Sequence, residues 1–204
     1  MHDMQDVTPI NYELKFEPLF HNFKFNGTEI ITLNLPKPTN SIILDAAELV
    51  IKKCYIIQGN ETISAKPHID EKNERLTIKL AKKIKGNAKL SIEFIGTLND
   101  RLLGFYRSQY KDGKGKTKYL ATTQFEAADA RRAFPCWDKP AAKATFDVSL
   151  LVDKHLDAIS NMLVTSKKKV GTKILYKFGQ TPIMSTYLLY LGVGEFEYLH
   201  GKLR

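Results

Sequence analysis

Apolar and polar residues alternate along most of this chain. The runs Tyr12-Glu13-Leu14-Lys15-Phe16-Glu17, Arg75-Leu76-Thr77-Ile78-Lys79-Leu80, Ala88-Lys89-Leu90-Ser91-Ile92-Glu93-Phe94 and Thr145-Phe146-Asp147-Val148-Ser149-Leu150 all repeat with period two. Successive side chains of an extended backbone point to opposite faces, so each run presents one set to a core and the other to solvent. Residues 29–35 and 49–57 add β-branched runs of strand length. Asn26-Gly27, Gly59-Asn60, Gly86-Asn87 and Asp112-Gly113 are dipeptides suited to hairpin turns. Pro36 and Pro38 cannot donate a ladder hydrogen bond and are expected to end a strand. Helical periodicity is not sustained for three turns anywhere; the best short helical candidate covers residues 126–132, with Pro135 stopping it. The pattern predicts about a dozen strands joined by short turns. The expected fold is all-β with little helix: a sandwich or a saddle-like pair of curved sheets, antiparallel or mixed.

A length of 204 residues suits a single all-β domain, and no linker-like or low-complexity segment divides it. No stretch approaches the ~18 apolar residues of a membrane span. The start, Met1-His2-Asp3-Met4-Gln5-Asp6, lacks the basic and apolar regions of a signal peptide, so the chain reads as soluble and cytoplasmic. Cys54 and Cys136 are the only cysteines and make no disulfide framework; buried, reduced thiols are expected.

The net charge of +9 raises the question of nucleic acid. The lysines are scattered, and the densest runs fall in segments read as loops. Residues 111–118 are glycine-rich and suit a hairpin tip, and Lys167-Lys168-Lys169 sits between strand-like runs. Neither interleaves basic and aromatic residues as a base-stacking surface does. Solvated lysines that keep the surface soluble are the better reading, and no nucleic-acid partner is expected. A module recognising acidic polymers through these lysines would bind with steep salt dependence.

A self-contained metallohydrolase needs clustered ligands. None of His2, His21, His68, His155 and His200 begins a His-Glu-x-x-His helix. No Gly-x-Ser-x-Gly elbow or phosphate-cradling glycine loop is present. One segment, residues 121–140, breaks the alternation. It sets Glu126, Asp129, Arg131, Arg132 and Asp138 among Phe125, Phe134 and Trp137. Charged groups so placed are either solvated or buried in pairs that must hydrogen-bond well to offset desolvation. Spacing alone favours an Arg–Asp network bracing a loop. Cys136 reads as buried filler, and Phe134 and Trp137 as core. Tyr187 and Tyr190 read as strand residues of a last hairpin.

The same segment, with Gln124-Phe125-Glu126, Ala130-Arg131 and Phe134-Pro135-Cys136-Trp137-Asp138-Lys139-Pro140, resembles the N-terminal domain of the gluzincin zinc aminopeptidases. Gly104-Phe105-Tyr106-Arg107-Ser108, Lys143-Ala144-Thr145-Phe146, Ala158-Ile159-Ser160-Asn161-Met162 and residues 182–189 match the family in the same order, and the likeness extends over residues 7–200. It is strongest to an archaeal branch that works with tricorn-type proteases. Lys139 departs from the acidic residue usual there, a matter of surface charge.

The resemblance implies a parent enzyme that removes single N-terminal residues from peptides. Its substrate would lie between this β domain and a helical catalytic domain carrying the zinc, so no zinc is expected in this chain. By position, Glu126 would bind the substrate α-ammonium and Gln124 would hydrogen-bond near the first residue. The chain ends at Gly201-Lys202-Leu203-Arg204, about where the family's N-terminal domain hands over to the catalytic one, which implies a fragment inactive by itself. The implied partners are peptides with a free N-terminus, the enzyme's own catalytic domain, and a proteasome- or tricorn-type protease upstream. The alternative is a non-catalytic scaffold of the same fold; a His-Glu-x-x-His further along the full-length gene separates the two.

Overall fold

The computed structural model describes residues 7–198. Among them are twelve strands: β1 (Thr8–Leu19), β2 (Lys24–Asp45), β3 (Val50–Gln58), β4 (Glu61–Asp70), β5 (Arg75–Thr97), β6 (Gly104–Lys111), β7 (Thr117–Gln124), β8 (Thr145–Asp153), β9 (Asp157–Ser160), β10 (Val164–Val170), β11 (Lys173–Phe178) and β12 (Leu191–Gly194). Single 3-10 turns occur at Ala130–Arg132 and Thr186–Leu188. The protein is all-β. An eight-stranded sheet runs in the order β10-β11-β8-β1-β2-β5-β3-β4, and a four-stranded sheet in the order β6-β7-β12-β9. Only β1 and β8 pair in parallel; the other ladders are antiparallel.

Alternation is what shapes the large sheet. Tyr12, Leu14 and Phe16 of β1 are buried between exposed Glu13 and Lys15, and Phe146, Val148 and Leu150 repeat the pattern on β8. The buried sets meet as an aromatic core. Tyr12 stacks on Phe146 with ring centroids 5.1 Å apart, and Phe16 meets Phe25, Phe94 and Phe134. Phe16 also meets Phe105 of the small sheet at 5.8 Å, so one ring joins the two sheets. Edge-to-face pairs of this kind add to the area that each ring buries.

Two turn expectations fail for the same reason. Asn26-Gly27 lies inside β2, opposite Glu17-Phe16, and the chain reverses instead over residues 20–23. Gly86-Asn87 lies inside β5, opposite Leu35-Asn34. In both places long-range pairing overrides a local turn preference. Gly59-Asn60 and the tip after Asp112 do turn the chain. Pro36 and Pro38 do not end the strand either. β2 continues to Asp45, and the prolines fall where its register against β5 shifts between Leu35 and Thr39, so no ladder donor is needed from them.

Lys167-Lys168-Lys169 is not a loop but the middle of β10, the outer strand of the large sheet, where every residue is exposed. Lysines on an open edge discourage pairing with other chains. Tyr187 sits in a 3-10 turn and Tyr190 just precedes β12, so neither is a strand residue. The expected extension to residue 200 and the ending at Gly201–Arg204 lie outside the described residues, as do His2 and His200.

Candidate functional site

β7 delivers the residues singled out by sequence. Its last residue, Gln124, pairs with Gly104, the first of β6, at the end of the small sheet. The side chains then divide as the strand period requires: Gln124 and Glu126 are exposed, and Phe125 between them is 2 % exposed against Phe134. Among the described residues neither Gln124 nor Glu126 has a side-chain hydrogen bond or ion pair, which leaves an amide and a carboxylate open on one surface. The Glu126–Ala127 peptide is cis.

Where a short helix was expected over residues 126–132, the chain forms a tight turn and then a single 3-10 turn. The Asp129 N–H donates to the Phe125 carbonyl at 2.9 Å, and the 3-10 turn Ala130–Arg132 follows. The loop is then fastened to the end of β2. The Asp45 N–H donates to the Cys136 carbonyl at 2.7 Å, the Cys136 N–H returns to the Asp45 carbonyl at 3.0 Å, and the Ala47 N–H donates to the Arg131 carbonyl at 3.0 Å.

Side chains lock the same junction. Arg131 donates from Nε and from its backbone N–H to Asp138 Oδ2, at 3.1 and 3.2 Å, and from Nη1 to Glu74 at 3.1 Å. Asp138 Oδ1 accepts from Thr186, and the Asp138 N–H donates to Asp45 Oδ2 at 2.9 Å. Asp45 in turn lies 2.5 Å from Arg75. Burial pushes the Asp138 carboxyl above its ordinary value, and its bonds from Arg131 and Thr186 pull the other way. Arg132 spreads its guanidinium over Asp129, Glu48 and Glu74.

The bracing pairs expected from Asp129, Arg131, Arg132 and Asp138 are therefore present. Their acidic partners Asp45, Glu48 and Glu74, and the partner arginine Arg75, carry no local signal, because they come from distant turns and strand ends. Cys136 is fully buried and its thiol is pushed well up by burial, which fits filler. Trp137 and Phe134 are buried too. Lys139 is half-buried beside Pro140.

His21, His68 and His155 are exposed and scattered. Among the described residues no group of three or more His, Cys, Asp or Glu side chains is arranged to hold a metal, so zinc has no fitting donor set there. None of their helices is long and apolar enough to cross a membrane.

Several known proteins are similar to this chain. The puromycin-sensitive aminopeptidase of Caenorhabditis elegans is 40% identical over 201 residues, covering 96% of this chain and 21% of the relative. Aminopeptidase M1-D of Oryza sativa subsp. japonica is 40% identical over 197 residues, covering 96% of this chain and 22% of the relative. Aminopeptidase 2, mitochondrial, of Saccharomyces cerevisiae is 40% identical over 205 residues, covering 97% and 21%. The chain thus spans about a fifth of the length of the curated relatives it matches. The family model described as the peptidase M1 N-terminal domain matches residues 8–188. The chain belongs to the peptidase M1 N-terminal domain family, and its relatives are aminopeptidases.

Proposed function

We propose that this chain is the substrate-amine-recognition domain of a cytoplasmic zinc aminopeptidase that removes single residues from the N-termini of peptides. Glu126 binds the α-ammonium of the substrate, and Gln124 hydrogen-bonds near its first residue. The observation that carries this reading is the pair itself. An unpartnered, exposed amide at the end of β7 is followed two residues on by an unpartnered, exposed carboxylate, with buried Phe125 between them and the loop beyond fastened to β2.

The chemistry suits the task. A peptide α-amino group has a pKa near ~8 and is mostly cationic at neutral pH, so an unpaired carboxylate such as that of Glu126 attracts it, the more so once a second domain shelters the pair. Fixing that charge fixes which peptide bond meets the catalytic groups, which limits release to one residue at a time. Those groups, with the zinc, belong in this reading to a second domain beyond these residues, so the 204-residue chain alone is inactive. An upstream protease of the proteasome or tricorn type would supply the peptides, a partner suggested by sequence resemblance alone.

Glu126→Ala in the full-length polypeptide is the test. The KM for peptides with a free amine should rise on the order of tenfold or more, since the substrate ammonium loses its charged partner. Unchanged KM would remove the assigned role, and robust aminopeptidase turnover by the isolated 204-residue chain would overturn the division of labour.

A further inference from the structure

Four non-glycine residues among those described have φ in the left-handed region: Phe23 (54°), Glu48 (57°), Glu74 (51°) and Leu102 (61°). L side chains adopt it reluctantly, because Cβ crowds the following carbonyl. Two of the four, Glu48 and Glu74, hold one guanidinium, and Leu102 adjoins Arg101, which pairs with Glu48. Glu48 follows β2, Glu74 lies in the β4–β5 turn, and Leu102 in the β5–β6 loop.

The convergence is specific. Arg132 Nη1 is 2.6 Å from Glu48 Oε1, Nη2 is 2.8 Å from Glu74 Oε1, and Nε is 2.8 Å from Asp129 Oδ1. Arg101, next to Leu102, holds the other oxygen of Glu48, and Arg131 the other oxygen of Glu74. A Cβ on Gly104 would stand 2.8 Å from Arg132 Cβ, so the start of β6 lies against the same side chain. The third partner, Asp129, closes the turn that carries Glu126.

We propose that Arg132 is a positioning residue for Glu126. It acts through Asp129, and the two glutamates are kept in left-handed backbone to hold its fork from the far side. The inference rests on the reading of Glu126 given above. Backbone strain that persists at both glutamates holding one guanidinium marks a place where geometry matters more than local stability. Lysine cannot substitute, because one ammonium does not reproduce the three directions of a planar fork.

The test uses the full-length enzyme and alanine p-nitroanilide as probe, with kcat, KM and melting temperature measured for Arg132→Lys, Glu74→Gly, Glu126→Ala and the Arg132→Lys/Glu126→Ala double variant. Arg132→Lys and Glu74→Gly should each raise KM about tenfold with kcat nearly unchanged, the worth of one charge-assisted hydrogen bond between Glu126 and the substrate ammonium. The melting temperature of Glu74→Gly should fall only modestly, because relief of the left-handed conformation offsets part of the two lost ion pairs. The double variant should be no worse than Glu126→Ala alone. Unchanged KM in Arg132→Lys and Glu74→Gly, or fully additive losses in the double variant, overturns the inference. If Glu126→Ala itself leaves KM unchanged, the reading of the site falls first and this inference with it.

Discussion

Phe94 lies over Gly27, its partner across the β2–β5 ladder, so closely that a Cβ on the glycine would stand 2.1 Å from the ring. The pair two residues along inverts the arrangement: Phe25 covers Gly96, again at 2.1 Å. Each ring fills the space that its opposite glycine leaves, and both rings join the cluster around Phe16. Gly27→Ala should therefore push Phe94 out of its place in the core. The expected loss is about 3 kcal/mol, the upper end for overpacking. Urea unfolding measures it, and Phe94→Leu should recover part of the loss in the double variant; a Gly27→Ala protein of parental stability would show that the ring yields freely.

Asp138 is a carboxylate with 4 % exposure that takes two hydrogen bonds from Arg131 and one from Thr186. Asp138→Ala deprives a mostly buried guanidinium of one of its two partners at 3.1 Å, a change that costs about 3–5 kcal/mol. Glu74 and Asp45 still face Arg131, which places the loss near the lower figure. In a domain of this size that lowers the melting temperature by roughly 10 °C. Asp138→Asn keeps an acceptor and should lose less; an equal loss in both variants would mean that charge, not hydrogen bonding, dominates the site.

Glu29 sits on the core side of β2 with both carboxylate oxygens buried and without a hydrogen-bond partner among the described residues. Burial raises its pKa well above the ordinary carboxyl value, which favours the protonated form in the folded protein. The sign follows from proton counting. Above about pH 4.3 the unfolded chain releases this proton while the folded chain keeps it, so stability falls as pH rises until the raised folded pKa is reached. Glu29→Leu removes that linkage. Its melting temperature relative to the parent should increase from pH 4.5 to pH 7.5, and a difference independent of pH would show that Glu29 ionises freely in the fold.

The two thiols should be inert in the native state. Burial lifts the Cys54 thiol to about 12 and the Cys136 thiol well above its ordinary value, so neither supplies thiolate at pH 8. Iodoacetamide should label both only after unfolding, as mass spectrometry can read. Rapid labelling of native Cys136 would mean that the loop between Phe125 and Asp138 opens readily.

The sequence by itself determined the class of the fold. A period of two reports which side of an extended backbone is apolar, and that information is local, so β1, β5 and β8 are legible in residues 12–17, 75–80, 88–94 and 145–150. It also singled out residues 121–140, whose charged residues break the alternation, while Gln124 and Glu126 were marked as a pair by family resemblance. Tertiary structure decided the rest. Whether Asn26-Gly27 turns or pairs depends on Phe94, far along the chain, and whether Pro36 ends a strand depends on the register of β2 against β5. The acids that hold Arg131 and Arg132 come from Asp45, Glu48 and Glu74, which only the pairing of β2 through β5 carries to the end of β7. Alternation specifies the faces of a strand, but partners across a fold are set by how the sheets close, and no single window of sequence contains both sides of that contact.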